Sequence, residues 1–302
     1  MRSAYYSSKT VLFASVFFTF FFLSSSKAFA DIFVVTNLND SGPGSLRQAV
    51  EDANANPGPD EIVFDDGLAG TIPTDAPVDN VYNGQMTITD DLTITGPGAE
   101  VVTIDAQLLG RIFNIDDGNP GPTITVAISG LTFTRGSQAS LPGGAISNAE
   151  NLSIESCVFI GNIAFLNVGG AIRNDDDGTI ENITNSTFSG NSAVFGGGIN
   201  NNGTIENITN STFSMNEADS AGGAILNFDG TIENITNSTF SMNEADAGGA
   251  ILNSDGTIEN ISNCTFSGNT ADINGGAILN SSDSEIGNIT NCPLSENSAP
   301  LS

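Results

Sequence analysis

The chain has 302 residues, 35 acidic against seven basic side chains, a formal net charge of −28, and neither histidine nor tryptophan. Such a surface repels nucleic acid and anionic lipid, and without histidine there is no imidazole for acid–base catalysis or a Cys/His metal centre. The length is enough to bury a core without staples, and three cysteines do not make a disulfide framework.

The first thirty residues, MRSAYYSSKTVLFASVFFTFFFLSSSKAFA, place Arg2 and Lys9 before an apolar stretch from Val11 to Leu23 and close on Ala28-Phe29-Ala30. This is the layout of a secretory signal peptide, residues 1–30, cleaved between Ala30 and Asp31. The alternative, a membrane anchor, meets a run too short for the roughly 20 residues a span needs. Past the cut only Arg47, Arg111, Arg135 and Arg173 are basic, and every acidic residue remains. No later segment is apolar enough to cross a bilayer as a helix. The simplest reading of the carboxylates is solvation of an extracellular protein. A cationic partner or loosely bound divalent cations would also suit them, and no cofactor is otherwise expected.

Residues 31–91 read as a cap. IFVVT and EIVF look like strands, Gly42-Pro43-Gly44 is a turn, and Ser45 is a good N-cap. After it Leu46, Ala49, Val50 and Ala53 fall on one helical face. A solenoid exposes unpaired edges at its end, so a short amphipathic helix there is expected to cover them. A partner-binding helix is the competing reading.

Residues 92–302 read as one continuous solenoid. The early segments MTITDDLTIT and PTITVAISGLTFT alternate apolar and polar residues, and the later ones repeat outright. GGAI begins at Gly143, Gly169, Gly222, Gly248 and Gly275, with GGGI at Gly196. The closing isoleucines step by 26, 27, 26, 26 and 27 residues. A second series, Phe133, Phe159, Phe188, Phe213, Phe240 and Phe266, steps by 26, 29, 25, 27 and 26. The period is shorter than helical repeats need, and the words carry no 3.6-residue spacing. They divide into three extended pieces, GGAIRN, GTIENI and NSTFSGN, which describe one rung of a parallel β-helix. Rungs about 4.8 Å apart allow roughly eight turns from Leu92, a rod about 40 Å long.

Stacked rungs place like on like. The Phe series forms an interior column. Asn148, Asn174, Asn201, Asn227, Asn253 and Asn280 form an inward amide ladder, each donating to the next. A second ladder, Asn162 to Asn297, follows the Phe column. These asparagines are candidates for left-handed backbone at the bends, and the glycine pairs for corners where φ is positive or a side chain would clash. The N-x-S/T sequons, such as those at Asn182 and Asn185, follow from the repeat itself. Cys157, Cys264 and Cys292 each stand two residues before the Phe position, where other rungs have Ser186 or Ser211. Cys264 and Cys292 lie on consecutive rungs, so a disulfide between them and free buried thiols are both open, the thiols being the simpler.

GGAI paired with F-x-x-N, here FSGN and FSMN, recurs from Gly143 to Ala299 and resembles the repeat of chlamydial-type polymorphic outer membrane proteins. VVTNLNDSGPGSLRQAVEDANANPGPDEIVF is similar to the CSLREA-type region that precedes bacterial surface β-helices, although GSLRQA lacks the Cys and the Glu of that signature. The resemblance implies an all-β, single-stranded right-handed parallel β-helix exported to the outer membrane or the extracellular space, often as an adhesin. Its partner would be a surface ligand, a host receptor or a glycan. Relatives commonly carry a C-terminal autotransporter barrel. Here the text ends on NCPLSENSAPLS, where Pro293 and Leu294 replace the usual Thr-Phe, a pattern that fits either a final rung or a truncation.

The competing function is a secreted polysaccharide lyase or glycoside hydrolase, since β-helices also carry such enzymes and fold cannot decide between them. Glycoside hydrolysis wants two facing carboxylates in unlike surroundings, and lyase chemistry a base beside metal-binding Asp. Only residues that break the repeat are candidates: Asp116, Asp117, Arg135, Arg173 and the run Asp175-Asp176-Asp177. NDDDG fails as a calcium loop, because Arg173 falls where the first ligand belongs. No catalytic, cofactor-binding or metal residue is therefore assigned, and the sequence reads as a non-enzymatic surface scaffold.

Overall fold

The computed structural model describes residues 30–74, 84–137, 141–281 and 283–300. Apart from Ala30, the leader expected over residues 1–30 lies outside the described residues.

Successive copies of each repeat word pair in parallel, residue over like residue. In the TIENIT strands Ile180 pairs with Ile205, Ile205 with Ile232 and Ile232 with Ile258. In the TFS strands Phe188 pairs with Phe213 and Phe213 with Phe240. The strands gather into four sheets of ten, nine, eight and five members, the walls of an all-β parallel β-helix. The ten-stranded sheet starts at Ile32–Val35 and Asp60–Phe64, then takes in Leu92–Thr95. It therefore runs through position 92 without a break.

The fourth wall departs from the three-piece rung read in the sequence. It is built from Ile163–Val168, Ser192–Phe195, Glu217–Ala221, Glu244–Ala247 and Thr270–Asn274. These words vary in length and composition, so they look like linkers. Once neighbouring rungs lie in register, however, their backbone N–H and C=O groups come into reach and pair, as polar main-chain groups must. Register slips between Ala193 and Phe195 absorb the variation in length.

The interior is columnar. Phe133 through Phe266 are fully buried, with successive ring centroids 4.7–4.9 Å apart and planes within 13° of parallel. The column starts on Phe113 of the neighbouring wall, which meets Phe133 edge-on at 5.9 Å. Burying a ring this size contributes about 1.5–3 kcal/mol relative to exposure.

Two different constraints explain the glycine pair. The first glycine has positive φ, 66° at Gly222 and 64° at Gly248. The second is a close approach: a Cβ on Gly223 would lie 2.2 Å from the carbonyl oxygen of Gly249 one rung on.

The helix Leu46–Ala55 has Ser45 at its N-cap, whose Oγ accepts from the Gln48 N–H at 3.2 Å. Its buried residues are Leu46, Ala49, Val50 and Ala53. It seals an edge. Asn54 Nδ2 donates to Thr87 O at 2.7 Å, and the Thr89 N–H donates to Asn54 Oδ1 at 2.9 Å. Thr87 lies on Met86–Ile88, the terminal strand of the eight-stranded sheet, so one side chain satisfies main-chain groups an edge leaves open. At the far end Leu294 pairs with Phe266 and is mostly exposed. Among the described residues no helix is long and apolar enough to cross a membrane.

Candidate functional site

The two asparagine series run along the inside of the rod. Asn148 Nδ2 donates to Asn174 Oδ1 at 2.8 Å, and the chain of amides continues through Asn201, Asn227 and Asn253 to Asn280 at 2.7–2.8 Å. The second series runs from Asn162 through Asn191, Asn216, Asn243 and Asn269 to Asn297 at 2.8–3.0 Å. The amides in the middle of each series bind three rungs. Asn216, for example, also donates to Phe188 O on the preceding rung at 3.0 Å. Left-handed backbone falls not on the ladder residues but close by, on Met215 just before Asn216 (φ 54°) and on Asp229 two residues after Asn227 (φ 57°). The ladder amide must point inward to reach its copy, and the chain turns one or two residues away.

The sequon asparagines have structural places too. Asn182, Asn207, Asn234, Asn260 and Asn288 form a looser outer ladder, at 3.1–3.4 Å. Asn185 sits at a left-handed corner with φ 51°.

All three cysteines are free thiols, so the disulfide considered for Cys264 and Cys292 is not made. The thiols occupy the place of the serine hydroxyls. The Ser186 N–H donates to Ser211 Oγ at 3.2 Å, and the Cys264 N–H donates to Cys292 Sγ at 3.4 Å in the same manner. Each sulfur is turned toward carbonyls of its own and the preceding rung. Cys264 Sγ donates to Ser262 O at 3.3 Å and Ile235 O at 3.5 Å. Burial pushes the Cys264 and Cys157 thiols up to about 11.

The residues that break the repeat do not converge on one centre. Arg135 is locked in a two-pronged pair with Asp105, its Nε donating to Oδ1 at 2.8 Å and its Nη2 to Oδ2. That contact raises the Arg135 pKa, which makes a guanidinium still less able to act as a base. Arg173 Nε donates to Asp175 Oδ1 at 2.9 Å, and its Nη2 lies 3.7 Å from Asp176.

Asp116, Asp117 and Glu150 do come together, each offering an oxygen within 4.8 Å of the others. Main-chain donors already occupy them. Glu150 accepts from the N–H groups of Thr123 at 2.6 Å, Asp117 at 3.2 Å and Ile124 at 3.2 Å. Asp116 accepts from the Gly118 N–H at 2.8 Å. Asp117 takes the Thr123 hydroxyl and the Asn119 N–H, and these bonds hold its carboxyl down at about 2. A carboxyl so held stays ionised near neutrality and cannot serve as a general acid. The cluster organises the 116–124 loop.

Sequence reading passes over Glu150 and Arg111, and one signal could have found both. Asn151 pairs with Thr179, so Glu150 stands where other rungs have a glycine such as Gly178. Phe113 pairs with Ile146, so Arg111 stands in place of the second glycine, Gly144. Arg111 is buried, which lowers its pKa to about 10 against the opposing pull of Asp175. It donates to Asn114 Oδ1 at 2.8 Å and to Gly143 O at 3.1 Å.

Residues 263–281 match the Chlamydia polymorphic membrane protein repeat. No curated protein matches the chain. Among solved structures a rhamnogalacturonan lyase is similar over 89% of this chain and 87% of that one, at 13% identity and a TM-score of 0.29.

Proposed function

We propose that this chain is an exported β-helix rod, released from its leader at Ala30, that acts at or beyond the outer membrane as a non-enzymatic, adhesin-type scaffold. The observation that carries this reading is the columnar surface. The wall of TIENIT strands presents the same outward residues rung after rung, Glu181, Glu206, Glu233 and Glu259. A periodic array suits repeated weak contacts, whose joint strength exceeds that of any single contact. The match of one segment to a surface-protein repeat supports the same reading. The groups that an enzyme would need, Asp117 and Arg135, are each tied to local partners.

The test sets the scaffold against a secreted lyase or glycosidase. The chain from Asp31 onward is incubated with acidic and neutral polysaccharides, rhamnogalacturonan included, and products are read as reducing ends and unsaturated sugars. The expected result is intact polymer. Product formation that disappears in Asp117→Ala or Arg135→Ala would overturn the scaffold reading in favour of the enzyme. Protease shaving of intact producing cells, followed by fractionation, tests the location.

A further inference from the structure

One part of the rod does not repeat. On the outer side of the eight-stranded sheet, Arg173 pairs with Asn200 and Asn200 with Leu226. On later rungs the same column is leucine, Leu252 and Leu279. The end of the five-stranded sheet changes in parallel, with Val168 and Phe195 where later rungs have Ala221 and Ala247. At the exit of the eight-stranded sheet Phe228 pairs with Ser254. These substitutions line one cleft of about 280 Å³ crossing three rungs. Departures from a self-templating repeat weaken stacking, so their convergence points to function.

The cleft holds the groups that recognise a sugar ring. Phe195 and Phe228 line it from two adjoining walls, at the ends of a five-stranded and an eight-stranded sheet strand, 39% and 40% exposed, although the interior phenylalanines are sealed. Aromatic faces carry negative charge density and attract the weakly positive C–H face of a pyranose. Asn202 Oδ1 is buried and has no hydrogen-bond partner, a state that costs about 1–3 kcal/mol until a donor arrives. Arg173 supplies the opposite polarity. Its Nη1 donates to Asn200 Oδ1 at 2.8 Å, whereas its Nη2 comes no nearer than 3.7 Å to Asp176. An acceptor, a donor and two half-open rings lining one cleft are the kinds of group that pair with the hydroxyls and the apolar face of a sugar. Asp175 and Asp176 offset the arginine in a chain of net charge −28, which disfavours uronic acids.

We infer that the cleft between Phe195 and Phe228 binds one residue of a neutral saccharide, with Asn202 accepting from one hydroxyl and Arg173 donating to its neighbour. The site adds a ligand to the scaffold. It rests on the scaffold reading only in requiring that the sugar be held and not cut.

The test is calorimetric titration of the chain from Asp31 onward with cellopentaose, mannopentaose and N-acetylchitopentaose. Trigalacturonic acid and a neutral Leu/Phe hexapeptide serve as comparison ligands. At least one neutral pentasaccharide is expected to bind, at least tenfold more weakly to Phe228→Ala, Phe195→Ala and Asn202→Ala, with Phe228→Tyr close to the parent. Unfolding midpoints of each variant show whether a loss reflects the site or the fold, and Phe228→Tyr keeps the comparison valid if an alanine variant unfolds. No heat with any neutral sugar at millimolar concentration would overturn the site. So would binding indifferent to these variants, or preference for the acid or the peptide. Sugars recovered intact by chromatography support both readings. Cleaved sugars would overturn the scaffold reading while leaving the site in place.

Discussion

Asn227 Nδ2 donates to Asn253 Oδ1 at 2.8 Å, and the same nitrogen reaches Gly230 O at 2.9 Å. Asn227 thus joins its own turn to the next rung, and receives the corresponding bond from Asn201 at 2.7 Å. Replacement by leucine would leave Gly230 O, Asn253 Oδ1 and the Asn201 amide without this partner in a buried space. Each such loss costs about 1–3 kcal/mol. Asn227→Leu is expected to destabilise by about 3 kcal/mol or more. Asp229→Gly is expected to be near neutral, since Asp229 is exposed and at φ 57°. Urea midpoints compare the two, and equal values would mean that the ladder contributes nothing.

Phe213 stacks at 4.7 Å on Phe188 and 4.9 Å on Phe240, sealed on both sides. Phe213→Ala opens a cavity in mid-column and is expected to cost about 3–5 kcal/mol. Leu294→Ala changes the exposed end of the same column and should cost less than half as much. Thermal unfolding of the two variants checks the ranking.

Asp117 has its pKa lowered from 3.8 to about 2, first by the Thr123 hydroxyl and then by Asn119. The sign follows from linkage. A carboxyl depressed in the folded state stabilises it above the ordinary value and ceases to do so as pH falls through the folded one. The gap in unfolding midpoint between the parent and Asp117→Asn should therefore be constant above about pH 5 and close between about pH 4 and pH 2. Carbon-13 titration of the Asp117 carboxyl should place its midpoint near 2.

Cys157 and Cys264 are buried and their thiols are raised to about 11, whereas Cys292 is partly exposed. Iodoacetamide at mildly alkaline pH should label Cys292 first in the folded protein and all three cysteines after unfolding. Intact mass without reductant should correspond to three thiols. A species two hydrogens lighter would establish the bond that the stacked geometry leaves unmade.

Much of this architecture is legible in the text because a parallel, in-register coil maps each residue onto its copy about 26 positions away. A column is therefore a period in the sequence. Phe133 to Phe266 and Asn148 to Asn280 can be read directly, and so can the helix opening at Ser45, whose signal is local. The fourth wall is not legible. Its pairing follows from the alignment that the other three walls impose, and Ser192–Phe195 or Glu244–Ala247 carries little of its own pattern. Nor is the state of the thiols, which depends on where each sulfur turns once Cys264 lies beneath Cys292.

By itself, then, the sequence determined the fold type, the period and the identity of the repeated interior columns, since in-register stacking lays each repeated residue over its own copy. Only the tertiary structure decided which columns face one another across a bend. Phe195 and Phe228 come to line one cleft because the corner between the five- and eight-stranded sheets sets the lateral offset between walls, and no spacing along the chain encodes that offset.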